Sequence, residues 1–454
     1  MSKRFLPWIL ACILVATVFG CGQEAPVQPE PQAQTQPEAA PAAPEPESLP
    51  LSATAAKTEE AIEAREEQVP APERVLPPDH WLVGTSDVED MFPAVIAPEA
   101  PRKLLREHGL AYLEQIGDTR VLHLKGSHYE MGVQHGTLMK DEIIEAANLV
   151  HTAGTIGAEN FDAGIKDAWQ RTSPFIPDKF KEELKGLMDA TGLSEEMVQE
   201  FTIFPELFHC SGFALWGKAT ADGALLHGRV LDYMRDLGLD KWALIIIQEP
   251  ADGNAFVNVA YAGMIGSVTG MNVKKVAIGE MGGKGEGKWD GMPMTLLIRE
   301  CLESGDTIAD VKRIMEETPR TCQYYYVISD AKAMGSEQMA CGVAAETDSI
   351  TFIGPNESHP LLNRPVEDAV LLSGHGRYDV LVDRVQKMYG KITPEIALDV
   401  MARGVSMKSN MHNALFKPAT LEMWVANSTV EEPACNLPYT YYDVVKLVSE
   451  RPAS

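Results

Sequence analysis

Three residues in one short stretch have the types and the spacing of a nucleophilic cysteine site. Cys210 stands at the head of an apolar segment, and Arg229 and Asp232 form an Arg-x-x-Asp at the end of the next one. The turn between the two segments ends in Asp222-Gly223, which predicts a β-hairpin that returns the chain beside its own start. A thiol, a guanidinium and a carboxylate can therefore meet, as nucleophilic catalysis by cysteine requires.

Three motifs surround these residues. They are Cys-Ser-x-Phe-Ala from Cys210, Gly-Lys-Ala-Thr-Ala-Asp-Gly from Gly217 and His-Gly-Arg-x-Leu-Asp from His227. Together they resemble the isopenicillin-N acyltransferase-like family of N-terminal-nucleophile hydrolases, whose wider relatives include penicillin V acylase and bile salt hydrolase. The similarity extends more thinly over residues 126–442. It implies an α+β fold of four αββα layers, and acyl transfer or amide hydrolysis with no cofactor and no metal.

The resemblance also implies a mechanism. In such enzymes the bond before the nucleophile is cut autocatalytically, and the freed α-amine serves as the base for its own side chain. Here that bond is His209-Cys210, and the Cys210 thiolate would form a thioester with the acyl group. Arg229 and Asp232 are expected to hold the α-amine and the thiolate, because a guanidinium near sulfur lowers the thiol pKa. The structural alternatives are a buried cysteine and an ion pair at the end of a sheet.

Further site residues follow from the same resemblance. Asn272, in Gly-Met-Asn, stands where the family places an asparagine that donates to the oxyanion, and Arg377 resembles the family's late Arg-Tyr helix start. The alternatives are an asparagine of an ordinary turn and an exposed arginine of a first helical turn. The late asparagine that related acylases add corresponds to Asn363 or Asn356, and the sequence does not choose between them.

Two other patterns predict structure rather than chemistry. His128 and His135 lie two helical turns apart in residues 126–136, which also resemble the family. No His-Glu-x-x-His or Cys-x-x-Cys accompanies them, so we expect structural roles rather than metal binding. The glycine-rich residues 279–291 lack the phosphate-binding Gly-x-x-x-x-Gly-Lys-Ser/Thr form, and they predict a mobile loop near the pocket.

The elements that must position these residues divide the ordered chain at Cys210. Helical periodicity over residues 103–114, 130–152 and 178–190, with a stop at Thr191-Gly192 and a capped helix entry at Ser194, predicts a mainly helical segment over residues 79–209. After the cysteine, strands and helices alternate, and they predict a catalytic αββα domain over residues 210–454. The helical segment is then a candidate for a separate chain after cutting.

The start of the chain has the features of an exported lipoprotein. Lys3 and Arg4 precede an apolar run that ends at Gly20-Cys21, which predicts a signal peptide over residues 1–20 and lipidation of Cys21. A simple cleaved signal or an uncleaved anchor is the alternative. Residues 21–78, rich in Pro, Ala, Glu and Gln, predict a disordered tether. We expect a lipid-anchored protein of the bacterial cell envelope, at the outer membrane or in the periplasm rather than at the inner membrane.

The net charge and the number of cysteines limit the possible partners and functions of the protein. A formal net charge of -26 argues against nucleic acid as a partner, because Lys and Arg must neutralise phosphates there. The five cysteines after Cys21 leave at least one thiol unpaired in an oxidising compartment, and the alternative is that most are buried as small hydrophobes. The sequence predicts an exported cysteine acylase or acyltransferase with a small acyl substrate. The alternative function is a non-catalytic lipoprotein that keeps the fold as a binding or scaffold module.

Overall fold

A computed structural model describes residues 93–157, 161–204, 209–233, 235–284, 287–333, 339–357, 359, 364–374 and 376–452. The predicted signal peptide, the tether, the lipidation site Cys21 and the candidate Asn363 lie outside these residues. Among the helices that are described, none combines the length and the apolar character needed to cross a bilayer.

Sixteen strands occur in the described residues, and they lie in two sheets joined by a bridge between His209 and Gly282. The strands are β1 (Arg102–His108), β2 (Ala111–Ile116), β3 (Thr119–Gly126), β4 (His209–Leu215), β5 (Leu226–Asp232), β6 (Ala243–Pro250), β7 (Phe256–Tyr261), β8 (Thr269–Asn272), β9 (Val276–Lys284), β10 (Gln323–Asp330), β11 (Ala340–Glu346), β12 (Ile350–Ile353), β13 (Ala369–Leu372), β14 (Asn410–Lys417), β15 (Glu422–Asn427) and β16 (Thr440–Asp443).

The helices of the described residues fall on both sides of the cysteine. They are α1 (His128–Leu138), α2 (Lys140–Gly157), α3 (Phe161–Thr172), α4 (Asp178–Thr191), α5 (Glu195–Ile203), α6 (Met294–Ser304), α7 (Ile308–Glu317), α8 (Gly376–Lys387), α9 (Pro394–Val400) and α10 (Val444–Ser449).

The strand order brings strands from before and after Cys210 together in the first of the two sheets. The first sheet runs β1-β2-β3-β6-β7-β8-β9-β10-β11-β12, and the second runs β13-β4-β5-β14-β15-β16. Strands β3 and β6 are parallel, with Val121 beside Ile245 and Gly126 beside Pro250, whereas the other paired strands are antiparallel. Residues 102–126 therefore form one edge of a sheet whose remaining strands follow the cysteine.

The two sheets stack face to face between two layers of helices. Helices α1 to α7 share a buried apolar cluster with the first sheet, which includes Leu122 and Met131, and α8 and α9 share another with the second sheet. Side chains such as Val259 and Phe416 fill the space between the sheets. Burial of apolar surface on both faces of each sheet stabilises this arrangement. The predicted α+β fold with αββα layers is confirmed.

The helix predicted over residues 103–114 is wrong, because this region is the hairpin of β1 and β2. Gly109 and Gly117 make the turns at the two ends of β2 with φ of 60° and 59°. Glycine adopts these positive φ values without the steric penalty that a Cβ imposes. The helix predicted over residues 130–152 is two helices, α1 and α2, which are separated at Met139, where φ is -123°.

The helices closer to the cysteine follow their sequence signals. Gly192 ends α4 in a left-handed conformation with φ of 79°, as the glycine stop predicted. The Ser194 side chain accepts a hydrogen bond from the Met197 amide and begins α5. The predictions of the helix over residues 178–190 and of the capped entry at Ser194 are confirmed.

Candidate active site

The hairpin of β4 and β5 brings Cys210 and Arg229 to the same face of the second sheet. Cys210 lies opposite Leu231, and Gly212 lies opposite Arg229 in the antiparallel register. Because directly opposed residues and every second residue of a strand share a face, both side chains point towards the first sheet. Cys210 is 2% exposed and Arg229 is 0% exposed, so the thiol and the guanidinium are both removed from solvent.

Glu280, on β9 of the facing sheet, completes this buried group. Its Oε2 lies 3.7 Å from Cys210 Sγ, which can donate to it, and accepts a hydrogen bond of 3.2 Å from Arg229 Nη2. The other carboxylate oxygen accepts a hydrogen bond from the Gly282 amide. The β9–β10 register shifts between Tyr324 and Tyr326, and Tyr326 is the residue paired with Glu280. Such a bulge redirects side chains, and it accompanies a carboxylate that reaches the thiol.

The glycines around Glu280 permit the close approach of the sheets. A Cβ on Gly279 would lie 2.7 Å from Arg229 Cγ, and one on Gly283 would lie 1.9 Å from the Gln323 carbonyl oxygen. Residues 279–284 therefore belong to β9, and for them the predicted mobile loop is wrong. The run is glycine-rich because the arginine and a neighbouring strand occupy the space that larger side chains need.

Asp232 lies on the opposite face of the second sheet, where α8 begins. Arg377 Nη1 donates a hydrogen bond of 2.8 Å to Asp232 Oδ2 and one of 3.4 Å to Ser211 Oγ. The Met407 amide donates to Asp232 Oδ1 at 3.0 Å. In the strand register, Asp232 is opposite His209. The structure therefore places Asp232 and Arg377 beside the bond that precedes Cys210, and Arg229 and Glu280 beside its thiol.

The buried thiol is protonated at neutral pH. Burial raises the pKa of Cys210 well above its usual range, the charges of Glu280 and Asp232 raise it further, and Arg229 opposes them. Burial also raises the pKa of Asp232, against the attraction of Arg377. Because a thiol must lose its proton to become a strong nucleophile, this site needs a base within reach. The Glu280 carboxylate meets that requirement.

Two neutral histidines accompany Arg229 between the sheets. His227 Nδ1 lies 2.7 Å from Ser329 Oγ, and His412 Nε2 lies 3.0 Å from Thr269 Oγ1. Burial, with the nearby positive charge of Arg229 adding to it, lowers the pKa of His227 to about 3 and that of His412 well below its usual value. Neither imidazole therefore adds positive charge near the thiol at neutral pH.

The structure does not bring Asn272, the expected oxyanion donor, to this site. Its side-chain nitrogen donates to the carbonyls of Leu302 and Gly305, at 2.9 and 2.8 Å, and its Oδ1 accepts from the Val276 amide. Val276 precedes Glu280 by four residues of extended chain, a separation of about 13 Å at roughly 3.3 Å per residue. The amide of Asn272 joins β8 to the end of α6.

The remaining sequence candidates lie elsewhere. Asn356 is in a turn after β12 with φ of 64°. His135 is buried, and its Nε2 accepts from the Gly263 amide, whereas His128 contacts two carboxylates of the helical layer. In the described part of the chain, no group of three or more His, Cys, Asp or Glu side chains is arranged to hold a metal ion. The five cysteines that are described are buried and form no disulfide.

Glu280 is the site residue that sequence reasoning missed. Its signal was present, because Val276-Ala277-Ile278-Gly279-Glu280 is an apolar strand interrupted by one acid. A carboxylate buried in such a strand needs a charged or hydrogen-bonding partner. The partner is Arg229, a residue that the motif at His227 had already identified.

Comparison with known proteins gives the chemistry of the relatives. Residues 222–347 match the profile of the family described as Acyl-coenzyme A:6-aminopenicillanic acid acyl-transferase. This match includes Arg229, Asp232 and Glu280, and excludes Cys210 and Arg377.

Individual proteins from several organisms are similar to this chain. Protein dcd1B of Dictyostelium discoideum is 25% identical over 73% of this chain and 75% of its own length. Acid ceramidase of Rattus norvegicus is 27% identical over 34% of this chain and 45% of its own, which is less than half of that protein. A solved structure of the Caenorhabditis elegans N-acylethanolamine-hydrolyzing acid amidase ortholog aligns with 46% of this chain and 93% of its own, at 13% identity and a TM-score of 0.37. The family profile and the similarity to acid ceramidase bear out the resemblance drawn from the sequence and the predicted enzyme class of amide hydrolase or acyltransferase.

Proposed function

We propose that this chain is an exported cysteine acylase or acyltransferase that cuts itself between His209 and Cys210 and then uses Cys210 as an N-terminal nucleophile. The observation that carries the proposal is the buried contact of 3.7 Å between the Cys210 thiol and the Glu280 carboxylate, which also pairs with Arg229. A structural cysteine needs neither a carboxylate nor a guanidinium beside its sulfur, since it packs as a small hydrophobe.

The first step is the cut itself. Glu280 accepts the thiol proton, and the sulfur attacks the carbonyl carbon of His209. The bond from that carbon to the Cys210 nitrogen then breaks, the nitrogen takes up a proton, and a thioester joins His209 to the Cys210 sulfur. Water hydrolyses this thioester, which leaves a carboxylate on His209 and a free thiol and α-amine on Cys210. Arg229 stabilises negative charge on the sulfur during the attack.

The second stage is turnover of an external acyl substrate. The α-amine of Cys210, with a reference pKa of about 7.7–8.0, is a base close to the working pH. It takes the thiol proton as the sulfur attacks the substrate carbonyl, and it returns the proton to the departing amine. Asp232 and Arg377, which lie beside the cut bond, orient the new amine. Water or a second amine then resolves the acyl-cysteine thioester.

The proposed substrates are small amides or thioesters that contain an acyl group. The family profile supports acyl transfer, and the partial similarity to an acid ceramidase supports acyl-amide lipids as one class to test. A screen of N-acyl amino acids, penicillins and acyl-amide lipids, in water and with an added amine, would identify the acyl donor. The same screen separates hydrolysis from transfer, because only transfer yields a new amide.

The proposed location is the bacterial cell envelope, with a lipid on Cys21. The basic residues Lys3 and Arg4, the apolar run after them and Gly20-Cys21 support this location. Mass analysis of the exported N-terminus in a bacterial host tests it. We expect a chain that begins at a lipid-modified Cys21, and Cys21→Ala should release the protein from the membrane fraction. An unmodified exported chain that begins elsewhere would refute the anchor and leave the catalytic proposal standing.

Intact mass and N-terminal sequencing of the purified protein test the catalytic proposal. We expect a chain that begins at Cys210, and we expect Cys210→Ala to leave the chain uncut. Electrophilic acyl probes should form an adduct on Cys210 in the wild type. A single uncut chain that still turns over substrate would exclude the α-amine mechanism. An uncut chain without any acyl adduct would instead favour a binding or scaffold module.

A further inference from the structure

Four side chains form a closed ring in the helical layer, away from the cysteine. Arg299 of α6 donates two hydrogen bonds to Glu183 of α4, of 2.8 and 2.6 Å, and its Nε donates to Glu303 at 2.8 Å. His128, at the start of α1, closes the ring, with Nδ1 2.9 Å from Glu183 Oε2 and Nε2 3.3 Å from Glu303 Oε2. Arg299 Nη2 also lies 3.5 Å from Nδ1, but the shortest contact of each imidazole nitrogen is with a carboxylate oxygen. Only the doubly protonated ring can donate to both carboxylates.

The net charge of this buried group of side chains depends on whether His128 is protonated. The side chains of Glu183, Arg299 and Glu303 are 0% exposed, and that of His128 is 12% exposed. Lys179 pairs with Glu303 and with Glu300, at 2.9 and 2.7 Å. These charged groups of α4 and α6 sum to zero with His128 protonated, and to minus one with His128 neutral. Buried charge without compensation is costly, so the protonated state fits this site better.

The proposed cut lies between the two halves of this ring. His128, Lys179 and Glu183 precede Cys210, whereas Arg299, Glu300 and Glu303 follow it. With His128 protonated, the first half carries a net charge of plus one and the second half minus one. Loss of the His128 proton leaves the first half neutral and removes the net attraction between the halves.

We propose that the ring of His128, Glu183, Arg299 and Glu303 is a pH-dependent contact that holds the N-terminal chain on the catalytic chain after the cut. This inference rests on the proposed self-cleavage. The pairing of β3 with β6 also joins the two chains, so the ring sets how strongly their association depends on pH and is not their sole link.

The sign of the pH dependence follows from the contacts of His128. Burial acts to lower its pKa, but the hydrogen bonds and charges of Glu183 and Glu303 outweigh burial and raise the pKa above its usual value. The stabilisation is therefore fully present below the unfolded pKa of about 6.5, and it is lost as the pH rises through the higher folded pKa. Each unit between the two pKa values corresponds to about a tenfold change in the separation constant of the chains.

The test measures separation of the two chains of the processed protein in urea, by native size, at about pH 5.5 and about pH 8.5, on either side of the usual imidazole pKa. We expect the urea midpoint of the wild type to be higher at the acid pH, and His128→Gln to reduce this difference. The control is Lys125→Gln, which breaks an exposed ion pair with Glu249 across the same cut and should keep the wild-type difference.

A second measurement avoids dependence on the variant, in case His128→Gln does not fold. Deuterium exchange at the histidine C2 position, read by mass spectrometry across pH, gives the pKa of His128 in the wild type. A value above about 6.5 supports the ring, and a value at or below it overturns the proposal. Processed protein with equal pH dependence in the wild type and His128→Gln would also overturn it. Wild-type protein that is never cut would instead refute the proposed function, and with it the role between chains.

Discussion

Replacing Glu280 with glutamine should slow self-cleavage, and it should also lower the pKa of the Cys210 thiol. The two effects can be measured separately. Glutamine keeps the size of the side chain and an oxygen for the Gly282 amide, but it cannot accept the proton of Cys210. A positioned general base contributes about 100-fold to 10,000-fold, so we expect self-cleavage of Glu280→Gln to slow by about 100-fold or more. The negative charge of Glu280 also raises the Cys210 pKa, so the same substitution should lower the pH at which the thiol reacts with iodoacetamide.

The cost in stability follows from burial. Glu280 and Arg229 are both 0% exposed, and removal of one partner from such a pair costs about 3–5 kcal/mol because a buried charge loses its compensation. Glu183→Gln is the matched control, because it disrupts another fully buried pair of glutamate and arginine, with Arg299, in the helical layer. The control should lose stability of similar size without a shift in the alkylation profile of Cys210.

The assay follows freshly synthesised protein on denaturing gels, as one chain converts to two, and measures alkylation of Cys210 across pH in the uncut fraction. Glu280→Gln should show a slower cut and an alkylation midpoint at lower pH. Self-cleavage at the wild-type rate would refute the role of Glu280 as the base for the cut. An unchanged alkylation midpoint would show that its carboxylate does not act on the thiol.

The remaining predictions concern the supports of the site. Asn272→Ala should lower the free energy of unfolding by about 1–3 kcal/mol for each buried carbonyl left without a donor, while turnover per folded molecule stays unchanged. Loss of turnover in folded protein would instead support the oxyanion role expected from the sequence. Gly279→Ala places a methyl group 2.7 Å from the buried arginine of the site and should impair self-cleavage, whereas Gly342→Ala, whose nearest neighbour is at 3.5 Å, should cut normally. Arg377→Gln should raise the pKa of Asp232 further and slow turnover most at low pH, as a pH–rate profile would show.

Local signals in the sequence were enough to predict the hairpin of Cys210 and the caps of α4 and α5. These signals determine the backbone only a few residues away. They are the Asp-Gly at the end of a turn, the Ser at the start of a helix and the Gly at the end of a helix. The segment predicted as a helix turns at Gly109-Leu110, and a second two-residue turn follows at Gly117-Asp118 between β2 and β3. The error over residues 103–114 came from periodicity in a short apolar segment, which does not separate helix from strand.

Contacts between distant strands could not be predicted in this way. The approach of β9 to β5 depends on tertiary packing, which the sequence does not show. The glycines at 279 and 283 therefore predicted a loop, although they leave room for Arg229 and for β10. For the same reason the motif at Asn272 predicted an oxyanion donor, whereas its side-chain nitrogen donates to carbonyls at the end of α6. A motif fixes the residue types near a site, but packing decides which side chains face the nucleophile.

The position of Glu280 also explains how a deeply buried thiol can react. Burial disfavours a new charge, which is why the Cys210 pKa is raised. Glu280 Oε2 contacts both Cys210 Sγ and Arg229 Nη2, so transfer of the thiol proton to the carboxylate moves the negative charge from oxygen to sulfur near the same guanidinium. The net charge of this buried group is zero before and after the transfer. The proton transfer therefore avoids most of the desolvation penalty that an isolated thiolate would meet, so the proposed cut does not need an α-amine in order to begin.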